Sequence, residues 1–135
     1  MITEDYVSFE TAKLLKEMGF DEKCHMCWDE VTKIIESADA TNSELLATYI
    51  SAPTLQMAMK WLTEAYNIFI SPQIEVSRNE KETGIHQYGQ PGYYVIITYV
   101  LNGNILPYQG SLYPTPEQAC EIAIKYCLEN LILKL

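Results

Sequence analysis

Tyr93-Tyr94-Val95-Ile96-Ile97-Thr98-Tyr99-Val100-Leu101 runs without a charge into Asn102-Gly103-Asn104. β-branched and aromatic residues fit a pleated strand, and Asn-Gly after such a run predicts a tight turn into a partner strand, here over residues 105–113. Both alternating sets are apolar: Tyr93, Val95, Ile97, Tyr99 and Leu101 on one face, Tyr94, Ile96 and Val100 on the other. A strand of this composition has neither face built for water, so the pattern predicts cover on both sides.

Downstream, Thr115-Pro116-Glu117-Gln118 opens a helix: Thr caps, Pro takes the first helical position, and Gln118 stands where a capping box wants Glu or Gln. The helix that follows leaves only Glu121, Lys125 and Glu129 as a polar stripe, so it is expected to pack against the sheet and a neighbouring helix. Upstream, Ile68-Phe69-Ile70 and Ile74-Glu75-Val76 read as a strand interrupted by Pro72, which cannot donate to a ladder and implies an edge position or a bulge. Residues 77–92 are polar and contain Gly84, Gly89 and Gly92, which predicts a long surface loop.

Further towards the N-terminus, Pro53 precedes an amphipathic helix over residues 54–66, with Leu55, Ala58, Met59, Leu62 and Ala65 as its apolar stripe and Trp61 widening it. Asp39-Ala40-Thr41-Asn42-Ser43 is a breaker. Between Cys24 and Ala38 the periodicity slightly favours helix, although Cys24, Met26 and Trp28 also alternate as a strand would. Ser8 caps a first helix over residues 9–18, with Gly19 placed for the left-handed closing conformation and Phe20 placed to pack back on Leu15.

These elements define one α+β domain spanning residues 1–135: a small antiparallel sheet of about three to five strands flanked by helices, an α/β/α sandwich. The apolar fraction, 48%, is that of a globular chain. The net charge of −9 is uneven, with eleven acids against four basic residues over residues 1–44. A single Arg, Arg78, and no basic run disfavour direct contact with the nucleic-acid backbone or an anionic membrane. Acids at Glu4 and Asp5 where a signal peptide carries basic residues, and no apolar run near ~18 residues, predict a soluble cytoplasmic protein with free thiols.

The stretches Val7–Phe20, Ser51–Leu62 and Ala119–Leu131 resemble a group of small phage and prophage proteins of gut anaerobes. The resemblance implies an α/β/α layout and a hairpin at residues 24–35, and it implies no activity and no catalytic residue. Residues 29–42 depart most from the group's pattern.

Cys24-His25-Met26-Cys27 has the two-residue gap of a zinc knuckle, but Cys120 and Cys127 lie seven apart without ligand spacing, and cysteine is commonly a buried small apolar residue. Neither metal nor cofactor is therefore expected. No nucleophile elbow, phosphate-binding glycine pattern or His-Glu-x-x-His occurs, and the sequence points to no catalytic residue. Trp28, His86 and Tyr88 are the candidate binding residues, an aromatic set beside one of two histidines. Association with another protein is the expected mode of action, a small enzyme or ligand-binding pocket at those three residues the alternative, and mimicry of nucleic acid by the acidic third a further one.

Overall fold

A computed structural model describes the backbone of residues 4–79 and 87–132, and the side chains of residues 4–76 and 92–132. Among the described residues three helices are capped by hydroxyls, Ser8 and Thr115 as the sequence predicts, whereas Thr54, expected inside its helix after Pro53, is the cap instead. In α1 (Phe9–Glu17) Ser8 Oγ accepts from the Thr11 N–H at 3.2 Å. In α2 (Leu55–Tyr66) Thr54 Oγ1 accepts from the Met57 N–H at 3.1 Å. In α3 (Pro116–Tyr126) Thr115 Oγ1 accepts from the Gln118 N–H at 3.2 Å, and the chain continues through a π-helical turn, Cys127–Leu131. Gly19 has φ +94°, and the Phe20 N–H reaches back to the Leu15 carbonyl at 2.9 Å, the closure that glycine permits.

Among the described residues six strands form two antiparallel three-stranded sheets. The first sheet joins β1 (Cys24–Asp29), β2 (Ile35–Ala40) and β3 (Tyr49–Ser51) in the order β2-β1-β3. The helical periodicity of residues 24–38 is thus overridden by a hairpin. Its turn is built locally: Asp29 Oδ1 accepts from the N–H groups of Val31 and Thr32, and Lys33 takes φ +59°. Its pairing is not local, because Trp28 stands opposite Ile50 as well as Ile35. Asn42, read as part of a breaker, ties this sheet to α1's end: its amide donates to the Phe20 carbonyl at 2.8 Å and its Oδ1 accepts from the Ser51 N–H at 2.8 Å.

The second sheet is a meander of β4 (Phe69–Asn79), β5 (Gln87–Leu101) and β6 (Asn104–Gln109). Pro72 sits on the edge strand β4, as its missing N–H requires. The Asn102-Gly103 turn forms with φ +52° and +78°. The loop predicted over residues 77–92 is corrected at both ends: β4 runs on to Asn79 and β5 begins at Gln87, with Arg78 opposite Tyr88 and Asn79 opposite Gln87. Backbone pairing in a two-stranded ribbon does not depend on side-chain polarity, so composition hid it. Residues 80–86 lie outside the described residues.

One core joins the sheets through the helices. It includes Cys24 and Ile50 from the first sheet, Leu15, Leu62 and Ile124 from the helices, and Val95 and Ile97 from the second. The expected α+β class holds, with its strands divided between two sheets. Helix α3 lies against β4 and β5 on one side only.

Candidate functional site

Opposed residues in an antiparallel ladder share a face, so the register assigns each side chain of the second sheet. Ile70 opposite Ile97, and Ile97 opposite Tyr108, belong to the inner face under α3, where the Tyr108 and Tyr126 rings stack at 4.4 Å. The outer face carries Phe69 opposite Thr98, Ser71 opposite Ile96, Gln73 opposite Tyr94, Thr98 opposite Pro107 and Val100 opposite Ile105. Among the described residues the cover expected there is missing: Phe69 is 51% and Ile105 71% exposed. Leu112, also exposed, extends the surface because Gly92 has no side chain, and a Cβ there would sit 3.1 Å from Leu112 Cδ2.

The described part of this face, residues 69–75 of β4, 92–100 of β5 and 105–109 of β6, has one charged member, Glu75 opposite Gly92, at one end. Both flanking strands carry a proline, Pro72 on β4 and Pro107 on β6, which reduces the donors that either edge can offer to an added strand. The arrangement is therefore a charge-poor sheet surface with blunted edges, on which Phe69, Tyr94, Ile96, Val100 and Ile105 alternate with Ser71, Gln73, Thr98 and Gln109. The signal for it was present in the doubly apolar pattern of residues 93–101, which by itself reads as burial under helices.

The sequence-selected residues fall elsewhere. Trp28 is half-buried in β1, donates from Nε1 to the Val7 carbonyl at 3.1 Å and meets Phe9 edge-on at 6.3 Å. Tyr88 belongs to β5 in the other sheet, its side chain outside the described residues, and His86 lies outside them altogether.

Trp28 lines a recess of about 290 Å³ with Ser8, Thr115, Glu117 and Glu121 among its other walls. Glu121 is committed to the protein, since its Oε1 accepts from the Ser8 N–H at 3.1 Å and the Thr11 hydroxyl at 2.7 Å. A second recess of about 310 Å³ has Cys27, Glu36, Glu44 and Tyr49 in its wall, and the Glu36 and Asp29 carboxylates push the Tyr49 phenol up. His25 is exposed, with Nδ1 3.4 Å from the Asp39 carboxylate.

All four thiols are buried. Desolvation pushes Cys24 up to about 11 and Cys127 up to about 12, and burial raises Cys27 and Cys120 as well. Among the described residues no group of three or more His, Cys, Asp or Glu side chains is arranged to hold a metal ion. The thiolate is the nucleophile, so these cysteines are expected to resist a thiol reagent in the native state at about pH 8 and to react only in denaturant. Rapid modification of any one of them in folded protein would show that its site opens.

The fold and this surface together define an α+β domain with a bare, charge-poor sheet face. No family model, curated protein or solved structure matches the chain. Among the described residues no helix is long and apolar enough to cross a membrane.

Proposed function

We propose that the protein acts by protein–protein association, as an accessory protein of the phage and prophage type its helical stretches resemble, with the outer face of the second sheet as its docking surface. The observation that carries this reading is the exposure of Phe69, Val100, Ile105 and Leu112 around a charge-free strand centre. Large apolar side chains exposed together on one sheet face cost solubility unless something covers them, and on soluble proteins such groups mark interaction sites. Proline in both edge strands favours face-on contact over strand addition.

The test is a photo-crosslinking residue placed at Ile105 in living cells, with exposed Lys13 on α1 as the control position. A discrete adduct at 105 and none at 13 is expected. Absence of any adduct at 105, or the same diffuse labelling at both positions, would remove the docking face.

A further inference from the structure

We infer that the free edge of β2 takes an added strand: an extended, basic segment of another protein, with a lysine or arginine seated in the recess walled by Glu36 and Glu44. The site lies on the first sheet and does not rest on the docking face proposed above. Alternate residues of an antiparallel strand turn their main-chain groups to opposite sides. In β1 the Asp29 N–H donates to the Ile34 carbonyl, whereas the Met26 carbonyl accepts from the Ala52 N–H, so odd positions serve β2 and even positions serve β3. Glu36, opposite Cys27, therefore turns its main chain to β1, and Ile35 and Ser37 turn theirs outward. Among the described residues nothing bonds these outward N–H and C=O groups.

The other edges are occupied or blunted. Along β3 the Tyr49 N–H donates to the Leu46 carbonyl at 2.9 Å and the Ser51 N–H to Asn42 Oδ1 at 2.8 Å. In the second sheet Pro72 and Pro107 each remove a donor from an edge strand. The β2 edge thus offers what strand addition requires, a row of unused main-chain groups beside a pocket for one side chain.

Charge selects the strand. A residue added opposite Glu36 presents its side chain to the same face, with Cβ atoms ~5 Å apart. On that face lies the recess of about 310 Å³, walled by Glu36, Glu44, Leu45, Leu46 and Tyr49 and lined by no Lys, Arg or His. Glu44 is held there by the Thr41 N–H at 3.1 Å and the Thr41 hydroxyl at 3.0 Å. Among the described residues no cation pairs with Glu36 or Glu44, whereas Asp39, further along β2, already meets Lys23 and His25. The Tyr49 phenol, pushed up by Glu36 and Asp29, reports the same negative potential. A lysine or arginine stem can lie on exposed Leu46 while its head meets the carboxylates. An acidic strand, a second β2 included, sets like charge against Glu36.

The probe is a capped, fluorescent eight-residue peptide alternating valine and lysine, added to the full chain. Saturable binding by anisotropy below about 1 mM is expected, with a copy carrying glutamate for lysine at least about tenfold weaker. Two further copies carry N-methyl groups on the valines or on the lysines. A strand bonds through one of its edges, so one copy should lose binding and the other keep it. Peptide should also slow amide exchange at Ile35 and Ser37. Glu36→Lys should weaken the lysine peptide at least about fivefold while melting like the parent, since that side chain is exposed; Ser37→Pro, which removes an outward donor, is the second variant. No saturable binding, equal affinity for the glutamate copy, the same outcome in both methylated copies, or unchanged exchange at Ile35 and Ser37 each overturns the inference. Slowing of those two amides by raising the protein concentration alone means that a second copy closes the edge, and rejects the basic segment.

Discussion

Ile97→Ala is expected to lower the free energy of unfolding by about 2–5 kcal/mol, whereas Ile96→Ala, one residue away on the same strand, should cost about 1 kcal/mol or less. Ile97 is fully buried on the inner face, between Ile70 of β4 and Tyr108 of β6 and under α3. Removing three carbons there loses their transfer energy and leaves a cavity that rigid neighbours fill only in part. Ile96 points to the bare face, opposite Ser71 and Gln109, and its truncation opens no cavity. Urea denaturation of both variants decides the matter. Equal costs would mean that the outer face is covered in solution, and a large cost for Ile96 alone would reverse the assignment of faces.

Glu121→Ala should cost about 1.5–3 kcal/mol, the range for hydrogen bonds to a charged group. Its Oε1 receives both the Ser8 N–H at the start of α1 and the hydroxyl of fully buried Thr11, and so fastens α3 to α1 across 110 positions of sequence. Deleting the carboxylate takes away the acceptor of the Thr11 hydroxyl, leaving it the Ser8 hydroxyl at 3.2 Å, and exposes the α1 terminus to fraying. A double-mutant cycle with Thr11→Val isolates the contact, since two residues that act only through each other are non-additive. Strictly additive losses from the two variants would show that the bond contributes nothing of its own. The Glu10–Lys125 pair nearby, 2.8 Å apart, is exposed and should add little by comparison.

The helix boundaries were legible because they are made by atoms a few residues apart. Ser8 and Thr115 cap their own helices, and Gly19 and the Asn102-Gly103 turn supply positive φ where they stand. The strand at residues 93–101, its turn into β6 and the edge position of Pro72 were legible for the same reason. The candidate site was not. Trp28, His86 and Tyr88 were chosen by residue type, and of these Trp28 serves the contact between β1 and α1, whereas the exposed surface is made of Phe69, Ile105 and their neighbours, which look like core in any local window.

From the chain order alone follow the α+β class, the three helices with their ends, the hairpin after Tyr93 and the acidic balance, since each depends on propensity, capping or charge carried by neighbouring residues. Tertiary contact settled the rest. Residues 24–29 became a strand because residues 49–51 pair with them, residues 75–79 and 87–92 became a ladder because they face each other, and among the described residues a helix covers only one side of β5. Periodicity records that a side chain is apolar, while burial depends on whether another part of the chain reaches it, and the helix α3 that covers Ile97 is held on the inner side by the same core that leaves Ile96 partly and Ile105 largely exposed.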